Sequence, residues 1–91
     1  MNKITSIRMS SGGTSVEHIT DVKWINTQNN AVVESTVAAI VAWLKQNYEF
    51  HVVRDGYNIL VTHATSSLGR EYIKTRPDST LKDNLLSLPR F

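Results

Sequence analysis

Three stretches of this chain carry side chains or backbone equipped for chemistry. The first is Arg8, set between Ile7 and Met9 in an apolar–polar alternation. A guanidinium held in a sheet needs an anionic partner or a route to solvent. Asp21, Asp55, Asp78 and Asp83 are its candidate partners within the chain, and a ligand clamp is the alternative. The second stretch is SSGGTS, Ser10 to Ser15. Successive backbone N–H groups at Ser11, Gly12 and Gly13 can form a concave nest for a phosphate. The stretch lacks G-K-[ST] and opens no helix of a βαβ unit, so it is neither a Walker loop nor a dinucleotide-binding loop. The third is EYIKTR, where alternation sets Tyr72, Lys74 and Arg76 on one face and Ile73 and Thr75 on the other. An aromatic ring flanked by cations can stack on a base and neutralise its phosphate. Each stretch also has a plainer reading: an internal ion pair, a hairpin loop, and a solvated sheet face.

The remaining reactive types point to less. His18, His51 and His63 fall on separate strands without H-x-H or H-x-x-x-H spacing, so surface or hydrogen-bonded roles are expected rather than a metal. There is no G-x-S-x-G elbow and no Ser–His–acid set. Glu17, Asp21 and Asp55 are not spaced as a catalytic pair. No catalytic residue, metal site or cofactor is therefore assigned. Trp24 and Trp43 read as core residues, with a stacking platform at a cleft mouth as the alternative.

The elements that must position these residues follow from periodicity. Residues 3–9, KITSIRM, read as a strand with Ile7 and Met9 on one face and Ile4 and Arg8 on the other. SSGGTSVE reads as a loop. HITDVKWIN is a second strand, with Val22 and Trp24 on one face and Ile19 and Ile25 opposite. TQNN is a turn, and AVV a short strand completing a hairpin. Ser35 or Thr36 can cap a helix. Val37, Ile40, Val41, Leu44 and Tyr48 line one side of it, Trp43 widens that side, and Asn47 suits its end. EFHVVR and YNILVTH are strands joined at Asp55–Gly56, a tight-turn pair. Tyr57, Ile59 and Val61 share a face of the second. After the loop ATSSLGR, EYIKTR is the last strand, ended by Pro77. Thr80 to Asp83 has capping-box spacing before LKDNLLSL, one or two helical turns. The order predicts an α+β fold: a small antiparallel sheet of about five strands, one amphipathic helix across a face, and a short C-terminal helical turn.

Ninety-one residues make a single domain, 1–91. With 41% hydrophobic and 20% charged residues the chain lies outside the disordered class. It contains no Cys, which excludes disulfides and thiolate sites. MNKITSIRMS has no signal-peptide core, and VAAIVAWL is too short for a membrane span of about 20 residues. A cytoplasmic chain without membrane contact is expected. A net charge of +2 suits an anionic ligand but is too weak for a dedicated duplex binder.

ITSIRMSSGG, EHITDVKWIN, VVRDG and EYIKTRPDSTLKDNLLSLPRF together resemble one small bacterial family, catalogued as domain of unknown function thirty-eight ninety-two. The resemblance runs over essentially the whole chain, and DNLLSLPRF is its most specific part. It implies a single short domain and no particular activity. One departure is RPDST, where the family pattern has a glycine in the turn.

The functional expectation is a non-enzymatic protein that binds a small anionic ligand, a nucleotide or cyclic-nucleotide signal above all, as a homodimer with two equivalent pockets. A phage-type sequestering protein is one concrete version. The alternatives are a protein–protein interaction or inhibitor module, and a weak nucleic-acid binder. In the ending LKDNLLSLPRF, Leu81, Leu85 and Leu88 are expected to close the core, Pro89 to stop the turn and Phe91 to plug the last gap. Asn84 and Arg90 are the polar residues there left for a ligand.

Overall fold

The computed structural model describes residues 2–54, 56–75 and 84–91, with Asn84 described by its backbone alone. Strands β1 (Asn2–Met9), β2 (Ile19–Asn26) and β3 (Ala31–Thr36) come first, then helix α1 (Val37–Lys45). Strands β4 (Phe50–Arg54), β5 (Tyr57–Thr65) and β6 (Glu71–Thr75) follow. Two 3-10 turns, Val16–His18 and Asn84–Ser87, complete the elements.

All six strands join one sheet in the order β3-β2-β1-β4-β5-β6. It is a mixed sheet, which corrects the expected antiparallel sheet of about five strands. β1 and β4 run parallel, with Asn2 beside Phe50 and Lys3 beside His51, while the other pairings are antiparallel. The cause is α1. It carries the chain from β3 back across the sheet, so β4 starts at the same end as β1. Parallel neighbours need such a crossover.

Two irregularities reset the faces of the first hairpin. Ile4 pairs with Trp24 but Ser6 pairs with Lys23, so Thr5 is an extra residue in β1. Arg8 pairs with Asp21 but Met9 pairs with Ile19, so Thr20 is an extra residue in β2. A bulge inverts the alternation beyond it. Ile4 and Ile7 are therefore buried together, and Ile19 joins Val22 and Trp24. The strict period of two had put Ile4 opposite Ile7 and Ile19 opposite Val22.

The core lies between this sheet and α1. Thr36 caps the helix, its Oγ1 accepting the Ala39 N–H at 3.2 Å. Val37, Ile40 and Val41 are buried, with Trp43 and Leu44 packed at the margin. Asn47 ends the helical segment in the left-handed region at φ 69°, which Asn tolerates better than most residues. That reversal carries Tyr48 off the buried side, and it is 56% exposed. The expected helical face thus holds through Leu44 and fails at Tyr48.

The C-terminal segment is built into the fold. Leu85 is fully buried, and Leu86 and Leu88 pack against the core. β4 accompanies β1 only at its first residues, which leaves Ile7 unpaired on that side. The tail fills the vacancy: the Ile7 N–H donates to the Pro89 carbonyl at 2.9 Å, and the Phe91 N–H donates to the Ile7 carbonyl at 3.1 Å. Arg54 Nη1 donates to Ser87 Oγ at 3.2 Å and ties the second 3-10 turn to β4. Phe91 does not enter the core; it lies on the surface between Arg8 and Lys23. The expectation for Leu81, the turn at RPDST and the Thr80–Asp83 cap lie outside the described residues.

Candidate functional site

Of the described residues singled out in the sequence, Arg8 and Arg90 lie at the β1–tail contact and Tyr72 and Lys74 on β6. Arg8 has Asp21 as its cross-strand neighbour, yet its guanidinium sits 4.6 Å from the centre of the Phe91 ring, with Lys23 Nζ 4.7 Å from the same ring. Arg8 Nε also donates to the Phe91 main-chain oxygen at 3.5 Å. Arg90 Nη1 donates to the carbonyls of Leu86 and Leu88 at 3.1 and 2.7 Å, so it caps the second 3-10 turn. Tyr72 and Lys74 are half-buried on β6, on the face opposite Ile73 and Thr75. β4 and β5 separate them from Arg8. The site expectation for Arg76 and for the Asn84 side chain lies outside what is described.

Three N–H groups of the glycine-rich loop, those of Gly13, Thr14 and Ser15, have internal acceptors. Gly13 N–H donates to the Ser10 carbonyl at 2.9 Å. Thr14 and Ser15 N–H both converge on His18 Nδ1, at 3.0 and 3.2 Å. His18 therefore accepts through Nδ1 and carries its proton on Nε2. The imidazole thus takes up two N–H groups at the end of the loop, Thr14 and Ser15. A Cβ on Gly13 would lie 2.5 Å from the His18 Cβ, so the glycine is there to let the imidazole in. The spacing G-T-S-x-x-H carried this information, since a residue three after an N-cap reaches back to it.

His51 is the other unusual polar group. It is 6% exposed on β4, and its Nδ1 has no hydrogen-bond partner among the described residues. Burial pushes its imidazole below the ordinary value of 6.5. Strand alternation directs it to the side away from Phe50 and Val52, which face the core. No group of three or more potential metal ligands forms among the described residues.

A further concavity joins polar and apolar residues that the sequence does not bring together. A cleft of about 440 Å³ opens at the N-terminal end of α1, between the β2 entry and the β5–β6 turn. Thr20, Thr36, Val37, Ala38, Arg70 and Glu71 contribute to its walls. The first N–H groups of a helix have no partner inside it and carry the positive end of its dipole. Thr36 Oγ1 takes one of them, from Ala39. Arg70 projects from the tight turn made by Ser66–Arg70, where Gly69 adopts φ 82° and Ser66 Oγ accepts the Arg70 N–H. No described residue takes its guanidinium as a partner. Glu71 is the one described carboxylate on the cleft wall, and Lys45 Nζ holds it at 2.6 Å. The pair neutralises the charge that would repel an anion.

The architecture is an α+β domain with a helix over a mixed sheet and a side cleft at the helix head. The family model for DUF3892, a protein of unknown function, matches residues 3–89, and the chain belongs to that family. Neither the search of curated proteins nor that of solved structures returned a match. Among the described residues no helix is long and apolar enough to cross a membrane.

Proposed function

We propose that the chain is a non-enzymatic binding protein for a small anionic ligand, held by an oxyanion at the head of α1. The observation that carries this is the convergence, on one cleft, of the first turn of α1 with the Arg70 guanidinium, which has no partner among the described residues. Helix-terminal N–H groups and a guanidinium fork are complementary to phosphate and carboxylate. The mild positive charge of the chain favours the encounter. A nucleotide or cyclic-nucleotide signal is the member of this class we favour. It would carry its phosphate to Arg70. Capture without turnover is the activity we propose.

Thermal melting against inorganic phosphate, cyclic nucleotides and ADP-ribose tests the reading. A ligand at a hundredfold excess over Kd stabilises by about 2.7 kcal/mol and raises the melting temperature visibly. No shift with any member of the panel would remove the reading.

A protein–protein interaction module is the second reading, favoured by β3. It is an edge strand of six residues, Val32 on it is 64% exposed, and it carries no Pro or Lys to discourage pairing. Recovery of a stoichiometric partner that is lost on Val33→Pro would support it; a partner retained by that variant would count against β3.

A further inference from the structure

A second cleft, of about 240 Å³, lies at the other end of α1. Its floor is Trp24 and Phe50, both buried, and Trp43 stands beside them, half-buried. Trp43 stacks on Phe50 with ring centroids 6.0 Å apart, and Trp24 meets the two edge-on at 5.8 and 5.2 Å. Trp24 cannot turn within this cluster, because its Nε1 donates to Ser35 Oγ at 3.0 Å. The exposed ring of Tyr48 forms the rim.

Two amides complete the lining, and their orientations are fixed. Asn2 Nδ2 donates to the Glu49 carbonyl at 3.1 Å, which leaves Asn2 Oδ1 as an acceptor. Asn26 Oδ1 accepts the Gln28 N–H at 3.0 Å, which leaves Asn26 Nδ2 as a donor. The two residues are direct partners across β1 and β2. Side chains so paired start about 4.5–5.5 Å apart at Cβ. One acceptor and one donor thus stand side by side over an aromatic floor. Among the described residues no charged side chain lines the cleft.

We propose that this cleft binds a neutral planar heterocycle through an edge carrying an adjacent donor and acceptor, the chemistry of a nucleobase edge. The aromatic cluster supplies stacking, worth about 1–3 kcal/mol per base in proteins that bind single strands. Asn2 and Asn26 supply the edge contact. The volume lies below the roughly 300–1,000 Å³ of drug-sized sites, so the cleft takes one ring system rather than a whole ligand of several parts. It sits at the opposite end of α1 from Arg70 and does not depend on the anion reading.

The test uses uncharged probes, so that the anion cleft is silent. Adenosine, cytidine and uridine are titrated into 15N-labelled protein, with ribose and acetamide as controls. The expected result is saturable movement of the Asn26 side-chain amide and Trp43 indole signals with at least one nucleoside. Asn2→Ala and Asn26→Ala should each weaken that nucleoside about tenfold, the equivalent of about 1.4 kcal/mol. Their backbone spectra report whether they remain folded, and Asn2→Ala leaves the turn at Gln28 intact should Asn26→Ala disturb it. Two results overturn the proposal. One is unmoved Asn26 and Trp43 signals at millimolar nucleoside. The other is ribose or acetamide matching the nucleosides, which would mean sugar or amide contact rather than ring recognition.

Discussion

Leu85→Ala tests the claim that the C-terminal segment is a core element. Leu85 is fully buried, and its turn is held by the Arg54–Ser87 hydrogen bond and by the tail paired to Ile7. A buried Leu→Ala change costs about 2–5 kcal/mol, depending on how far the site collapses. The turn is short and tethered at Ser87 and through the tail beyond it, which limits collapse, so a cost of about 3 kcal/mol is expected. A domain of this length has about 5–14 kcal/mol in total. Each kcal/mol moves the melting temperature by about 4–8 °C in a domain of this size, so the variant should melt about 12–24 °C lower. Circular dichroism melts give that shift, and urea titration should show a lower midpoint at unchanged slope. Leu86→Ala, only partly buried, is the control and should cost clearly less. A shift below about 4 °C for Leu85→Ala would refute the docking of this segment.

Other outcomes follow from the same packing. Gly13→Ala drives a methyl into His18 and should cost about 1–3 kcal/mol by urea titration, whereas Gly12→Ala meets no neighbour and should show only the strain of its φ of 73°. His18→Ala removes the acceptor shared by Thr14 and Ser15 N–H and should cost about 1 kcal/mol, with faster amide exchange at both residues. Burial holds His51 below 6.5, so the unfolded chain takes up that proton first as pH falls. Stability should therefore drop as pH falls from about 6.5 toward the folded value, and His51→Gln should flatten that part of the curve. Lys45→Ala breaks an ion pair whose side chains are 51% and 42% exposed, so its cost should stay below about 1 kcal/mol.

The element order was legible because each element advertises itself locally. The cap at Thr36, the apolar stripe through Leu44 and the turn at TQNN all depend on near neighbours, and all stand where the sequence puts them. The parallel β1–β4 contact joins residues far apart in the chain, and no local pattern announces it. The bulges at Thr5 and Thr20 were hidden for another reason. An extra residue is invisible to a period-two reading, which therefore put Ile4 and Ile19 on the wrong faces. The binding residues were read by type, and type does not say how a group is already employed. Arg90 serves the turn at Leu86–Leu88, and His18 fills the glycine-rich loop. Arg70 carries no signal in the sequence, because its neighbourhood, ATSSLGR, reads as an ordinary loop. Its place beside the head of α1 arises from the β5–β6 pairing across the sheet.

The central claim is that Arg70 and the head of α1 form an anion site. Isothermal titration of the strongest stabiliser from the melting panel into the wild type and Arg70→Ala tests it directly. The reasoning predicts one site per chain, with at least tenfold weaker binding in Arg70→Ala at an unchanged melting temperature of the free protein. Binding that is equally tight in the two proteins would contradict it.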